Sequence, residues 1–504
     1  MSPTGKRSGT GPKDSLRSRI EQLRSSETAK AAGLAVAMIV NNVIALLSTV
    51  VFARLLDDYG SLAALISYFL ILSVAGAAMQ VATAREGVLG HLGVGAGLLA
   101  TIRRWTRSML IFTAVLTVLS ILFRQPIADA VGVKKDAWAA AIGIPAGCLW
   151  LELSILRGAL QGVGDYKSVG LSLILEQTVR LIAGATLAAV GLGVTGAYLG
   201  TPISFIAICF YCWNHLRRIA LVQTEAAADG GALEPTAGSA GGAFAATPGE
   251  PERRWAPASL TLWTHVRRAW APIAGLIVIA VLQNIDIIAA KHRFSKSLAS
   301  SYGATAVAAK VLIWVAIGAG FYLVPEVSRR RAAGEDTRPV LVKALGIILV
   351  CAIPCLLIFA VAPHLLIKLA FGEKRTGAAD SLFVLGAAFT VLAATYLAVQ
   401  YMLALKRFWF LLAVGAVAIA EPILLLQASR KPANFAAVVL GIQAVGATVA
   451  FAAALRRRGT PAPPTAEPGS GGPPGSGDGL ADQPELSLGQ PGTQPRAPRP
   501  HANA

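Results

Sequence analysis

The sequence predicts an all-α polytopic membrane protein of about twelve transmembrane helices in two six-helix lobes. Three observations carry this expectation. Of 504 residues, 55% are hydrophobic and only 14% are charged. A soluble domain is about 25% charged, so this chain would lack the polar surface to stay dissolved. Twelve apolar runs approach the roughly 20 residues that a helix needs to cross a hydrocarbon core of about 30 Å. A Gly-, Ala- and Pro-rich tract then divides those runs six and six.

Residues 1–30 are polar and basic. Leu16, Ile20 and Leu23 stand at helical spacing opposite Arg17, Arg19 and Arg24, which suits a helix lying on an anionic membrane surface. The segment has no cleavable apolar core of the kind a signal peptide needs. The N-lobe, 31–215, holds runs at 31–53, 61–84, 108–123, 138–156, 168–190 and 194–213. Residues 216–270 form a cytoplasmic linker, largely disordered by composition. The C-lobe, 271–455, holds runs at 271–290, 302–325, 339–362, 381–404, 408–428 and 433–455, and residues 456–504 form a disordered cytoplasmic tail.

The formal net charge of +18 admits two readings, nucleic acid or the anionic face of a membrane. With the amino terminus in the cytoplasm, inner segments carry 31 basic residues and outer loops 12. This positive-inside bias sets both termini and the linker in the cytoplasm, in a cytoplasmic (inner or plasma) membrane, and excludes nucleic acid as the partner. The five cysteines lie in apolar runs. Even Cys209-Phe-Tyr-Cys212 lacks the setting of a redox or zinc motif, so no metal and no cofactor are expected. Glycine-rich phosphate loops of the G-x-x-x-x-G-K-[ST] type are absent from the sequence.

A weak repeat relates the halves. Phe52-Ala-Arg-Leu-Leu-Asp-Asp-Tyr59-Gly60 matches Arg293-Phe-Ser-Lys-Ser-Leu-Ala-Ser-Ser-Tyr302-Gly303, the Tyr-Gly pairs being 243 positions apart, and Gln161 to Lys167 matches Gln400 to Lys406. Six helices per half in one orientation is the arrangement of parallel-repeat transporters.

The stretch from Phe52 to Gly60, Leu156-Arg-Gly-Ala-Leu-Gln-Gly-Val-Gly-Asp-Tyr-Lys167, Gln283-Asn-Ile-Asp286 with Tyr302-Gly303, and Phe321-Tyr-Leu-Val-Pro-Glu-Val-Ser-Arg329 stand in this order along the chain. Together they resemble the polysaccharide flippases of the MATE-like MOP superfamily. The resemblance covers residues 31 to about 455. It implies a MATE-like/MOP fold whose lobes flank a central cavity that alternates between inward- and outward-open. It also implies a polyprenyl-pyrophosphate-linked oligosaccharide as substrate, coupling to a proton or sodium gradient, and polysaccharide-assembly enzymes as partners beside the membrane lipids. Twelve spans rather than fourteen disfavour lipid II as the substrate.

Ionisable groups inside spans are costly and mark site candidates. At 1.5 Å per residue, Glu152 lies about 8 Å from the inner face, Glu176 about 12 Å and Arg180 about 18 Å. Glu176 and Arg180 are four apart on one helix face, so they form either a structural ion pair or a site in which Arg180 binds diphosphate oxygens. Glu152 and Glu176 are candidates for protonated or sodium-linked groups. In the second lobe Asp286 and Lys310 match in depth, and Lys310 either faces the cavity or pairs with Asp286. Asn284 and Gln283 stand beside Asp286. Asn41, Asn42, Gln80 and Gln400 either line the cavity or bond between helices. Glu421-Pro422 marks a kink or a local break. Arg54 and Asp57-Asp58 read as a solvated loop, and Arg329 to Arg331 as topology determinants that contact anionic lipid.

The competing reading is a MATE-type drug or cation antiporter, whose cavity should favour acidic and aromatic groups. A glycosyltransferase or polymerase needs a substantial outer domain, whereas the outer segments are short, 124–137 having about 14 residues. The chain is therefore not expected to be an enzyme.

Overall fold

In the computed structural model, which describes residues 27–228, 270–405 and 407–455, the core of each apolar run is helical. The N-lobe comprises α1 (Glu27–Leu55), α2 (Tyr59–Val88), α3 (Ala96–Leu122), the short α4 (Arg124–Val131), a 3-10 turn (Lys134–Asp136), α5 (Ala137–Gly162), α6 (Tyr166–Leu187) and α7 (Gly193–Ala228). The C-lobe comprises α8 (Trp270–Arg293), α9 (Lys296–Ala309), α10 (Val311–Ala332), α11 (Arg338–Val361), the short α12 (Pro363–Phe371), a 3-10 stretch (Glu373–Ser381), α13 (Leu382–Ala404), α14 (Phe410–Gln427) and α15 (Pro432–Leu455).

Among the described residues, eleven helical segments are long and apolar enough to cross a membrane. One of them, Tyr166–Glu225, has 60 residues, about 90 Å if straight and so far longer than one crossing needs. It reverses through a π turn at Ala188–Leu192, where Gly191 has φ 101° and Gly193 φ 53°. Only glycine adopts such angles without strain. The returning arm packs so closely that a Cβ at Gly200 would lie 2.6 Å from the carbonyl oxygen of Arg180. With both arms counted, the described residues hold twelve segments of crossing length, the number expected.

The helices outrun the apolar windows at several ends. The eighth span breaks at Lys310, which joins α9 to α10. Helix α7 continues to Ala228, well into the expected linker, because Leu216 and Ala220 are buried and Gln223 Oε1 accepts the Gly95 amide at 3.1 Å. Helix α5 runs six residues past the expected fourth span. Its Gly158 and Gly162 form an i, i+4 pair that admits α2, a Cβ at Gly158 reaching within 2.5 Å of the Gln80 carbonyl and one at Gly162 within 2.7 Å of Gly87 Cα. Without a hydrophobic drive between lipid-embedded helices, such small residues permit the close packing that holds them. The expected amphipathic segment up to residue 26, the linker from 229 to 269 and the tail from 456 lie outside the described residues.

The two lobes are clasped at one end. Lys291 Nζ reaches Asp58 Oδ1 at 2.7 Å, and Asp58 also caps α2 through the Ser61 amide at 3.2 Å. Buried Arg375 donates to the carbonyl of Ala53 at 3.0 Å and to that of Leu56. Those are carbonyls at the end of α1, left without helical partners. Arg54 donates to the Leu369 carbonyl at 2.6 Å, and His292 Nε2 lies 3.0 Å from that of Ala130. The Gly60 amide bonds Ser300 Oγ at 2.9 Å, and a Cβ on Gly303 would touch Ala63. The repeated Tyr-Gly pairs are thus the point where the lobes meet. Arg54 and Asp58 belong to this contact, which corrects their reading as a solvated loop, although Asp57 is exposed.

Candidate functional site

Apart from Arg375 in the clasp, the buried charges among the described residues fall into two groups, one in each lobe. In the N-lobe, Arg157 on α5 is fully buried and its Nη2 lies 2.9 Å from Glu176 Oε2 on α6. Arg157 also donates to Ser172, from Nε to Oγ at 2.8 Å and from Nη2 to the carbonyl at 3.0 Å. Arg180 Nη2 bonds the other Glu176 oxygen, one turn along the same helix as the spacing predicts. Aromatic rings back both guanidinium groups, Trp150 at 5.7 Å from Arg157 and Phe205 at 5.1 Å from Arg180. Rings in such places stabilise a cation that has lost water.

Two guanidinium groups therefore share one carboxylate, and one positive charge is left over. It falls towards Arg180, whose side chain is 20% exposed while that of Arg157 is 0% exposed. Arg180 Nε has no partner among the described residues. Glu152, on α5 with Arg157, turns to α3 instead, accepting Thr106 Oγ1 at 2.5 Å, and its Oε2 is buried without a partner among the described residues.

Arg157 corrects the expected end of the fourth span, which at 156 left this residue among the basic residues of an inner segment. The fourth apolar window stops at 156, but a glycine pair and Leu160 continue the packed face through the next turn, so the arginine is carried inside. Its position directly before Gly158 was the available signal.

In the C-lobe, Asp286 on α8 is fully buried and pairs with Lys310 Nζ at 3.2 Å, which favours the paired reading of Lys310. Tyr302 OH donates to its other oxygen at 3.3 Å, and Phe389 lies 5.2 Å from the lysine ammonium. Charges in this pair balance. Glu421 on α14 is fully buried, accepts Gln443 Nε2 at 3.1 Å and keeps Oε2 without a partner among the described residues. Gln443 also donates to the Leu282 carbonyl at 2.9 Å, tying α15 to α8. The sequence reading placed a kink or a local break at Glu421-Pro422; α14 runs from Phe410 through Pro422 to Gln427, so the helix does not break there, and Glu421 serves instead as a buried acceptor.

Asn284 is buried and spends its amide on the Ala280 carbonyl of its own helix at 2.9 Å, while its Oδ1 has no partner among the described residues. Asn42 is exposed and belongs to neither cluster. Among the described residues no three His, Cys, Asp or Glu side chains gather as metal ligands would.

No protein-family model and no curated protein sequence matches the chain. Solved structures do. An inward-facing multidrug resistance MATE family transporter of the MOP superfamily aligns over 84% of this chain and 96% of its own, with TM-score 0.61 and 11% identity. The lipid II flippase MurJ in an inward closed conformation aligns over 83% and 87%, with TM-score 0.62 and 14% identity. The eukaryotic MATE transporter AtDTX14 aligns over 86% and 96%, with TM-score 0.54 and 14% identity. The chain thus has the MATE-like fold shared by MOP superfamily transporters, that of a multi-pass membrane protein.

Proposed function

We propose that the chain is a flippase, moving a polyprenyl-pyrophosphate-linked oligosaccharide from the inner to the outer leaflet for cell-surface polysaccharide biosynthesis. The observation that carries this reading is the surplus positive charge at Arg157, Glu176 and Arg180. A diphosphate needs cationic donors held in place but not fully neutralised, and guanidinium groups offer paired hydrogen bonds to its oxygens. A site for cationic drugs would place its surplus on the acidic side. On this reading the positive-inside bias supports an outward-facing clasped end, which would close the outer side and leave substrate to enter from the cytoplasmic leaflet, where such lipids are assembled. Translocation requires no covalent step. Glu152 and Glu421, each with a buried oxygen that has no partner among the described residues, are where a proton or sodium ion would couple to the movement.

The test is Arg180→Ala in cells. The variant should insert normally while lipid-linked precursor accumulates on the inner leaflet. Normal export by the variant would remove Arg180 from the mechanism. Efflux of cationic dyes by the wild type, without any effect on the precursor, would favour the antiporter.

A further inference from the structure

A cleft of about 380 Å³ lies on the flank of the N-lobe between α3 and α7, at the end opposite the clasp, lined by Ala96, Leu99, Ala100, Arg103, Trp213 and Arg217. Its residues form two helix faces. Ala96, Leu99, Ala100 and Arg103 follow the i, i+3, i+4, i+7 pattern on α3, and Trp213 and Arg217 are four apart on α7. Both arginines are exposed, and neither is paired with a carboxylate among the described residues. The height of the cleft is fixed by chemistry. Arg103, Arg104 and Arg107 keep the first turns of α3 out of the hydrocarbon core, and Tyr211 and Trp213 precede Arg217 and Arg218 on α7. Aromatic rings followed by arginines mark the level of lipid headgroups.

We propose that this cleft binds the phosphate headgroup of an anionic phospholipid. Arg103 and Arg217 would hold the phosphate from two helices, with the indole of Trp213 against the glycerol region and Leu99 and the alanines along the first acyl carbons. Basic pockets between helices at this level suit phospholipid headgroups. A free phosphate would meet the same guanidinium groups but would leave the apolar wall unused. The site is separate from Arg180 and independent of the transported substrate.

The test uses the full-length protein in detergent with native mass spectrometry against phosphatidylglycerol, phosphatidylcholine and inorganic phosphate. Wild type should retain one phosphatidylglycerol in preference to phosphatidylcholine, even against millimolar inorganic phosphate. Arg103→Gln with Arg217→Gln should weaken that retention about tenfold or more. The pair Arg104→Gln with Arg218→Gln, which removes equal charge outside the cleft, should leave it within about twofold. An equal loss in both variants would reduce the effect to general surface charge and overturn the proposal. No preference over phosphatidylcholine, or displacement by inorganic phosphate, would overturn it as well.

Discussion

Replacing Glu176 by alanine tests the charge arrangement most directly. The carboxylate accepts from Arg157 at 2.9 Å on one oxygen and from Arg180 on the other. Its loss leaves a fully buried guanidinium with Ser172 as its remaining hydrogen-bond partner among the described residues. Breaking a buried ion pair from one side costs about 3–5 kcal/mol, because the remaining charge is stranded out of water. Arg180→Ala strands nothing, since Glu176 keeps Arg157, and should cost about 2 kcal/mol, the worth of a hydrogen bond to a charged group. The triple change Arg157→Met, Glu176→Leu and Arg180→Met removes all three charges and fills their volume, so its stability should stay close to wild type. The assay is reversible unfolding in mixed micelles titrated with sodium dodecyl sulfate and followed by helical circular dichroism. The reasoning fails if Glu176→Ala lies within about 1 kcal/mol of wild type, or if Arg180→Ala costs more than Glu176→Ala. Under the flippase reading the triple variant, though stable, should not transport, which separates the folding role of the cluster from its substrate role.

Two further predictions concern the clasped end. A Cβ on Gly303 would stand 3.1 Å from Ala63 Cβ, near the ~3.8 Å spacing of a disulfide, so Ala63→Cys with Gly303→Cys should cross-link the lobes under mild oxidation and arrest transport until reduced. Transport at the wild-type rate by the oxidised protein would show that this end need not open. The second is acid sensitivity. Burial pushes the Asp58 carboxyl up, but the hydrogen bond and charge of Lys291, with the Ser61 amide, outweigh it and hold the group below its usual value of 3.8. A depressed carboxylate contributes fully above its ordinary pKa and loses its contribution as pH falls through the lowered one. Interlobe distances from spin labels at this end should therefore be constant from about pH 8 to 5 and lengthen only below about pH 4, and Asp58→Asn should abolish that acid-dependent part. Lengthening centred at pH 5 or above would assign the opening to another group.

The helical spans and the place of Glu176 beside Arg180 were legible because each follows from a one-dimensional pattern. Apolar length measures a crossing, and a spacing of four fixes a helix face. Arg157, Glu421 and Gln443 were not legible in the same way, because their roles depend on which helix lies alongside. A basic residue at the edge of an apolar window reads identically whether it faces water or a carboxylate on a neighbouring helix. Only the adjacent glycines at 158 and 162, which bring α2 against α5, tell the two apart. The Asp286 to Lys310 pair was anticipated from matched depth, but depth alone could not choose between an ammonium facing a cavity and one turned to its partner.

The repeat is clearer in space than in sequence, and the chemistry of the clasp explains why. Arg124 and Pro363, which open the short helices, are 239 positions apart, as are Lys134 and Glu373, and as are Gln161 and Gln400. The contacts follow the same relation. Arg54 at the end of α1 donates to the Leu369 carbonyl on α12, and His292 at the end of α8 meets the Ala130 carbonyl on α4. Each lobe thus offers a polar side chain from the end of its first span to the short helix of the other. The acceptors are main-chain oxygens, which any residue supplies, so Ala130 and Leu369 are free to differ. The donor must only reach, so arginine in one half answers to histidine in the other. Where side chains meet backbone rather than each other, a two-fold contact persists while the letters that once showed it diverge. By contrast, the charge clusters within the lobes depend on side chains at both ends, and there the halves have parted: two arginines on one glutamate in one, a lysine on an aspartate in the other.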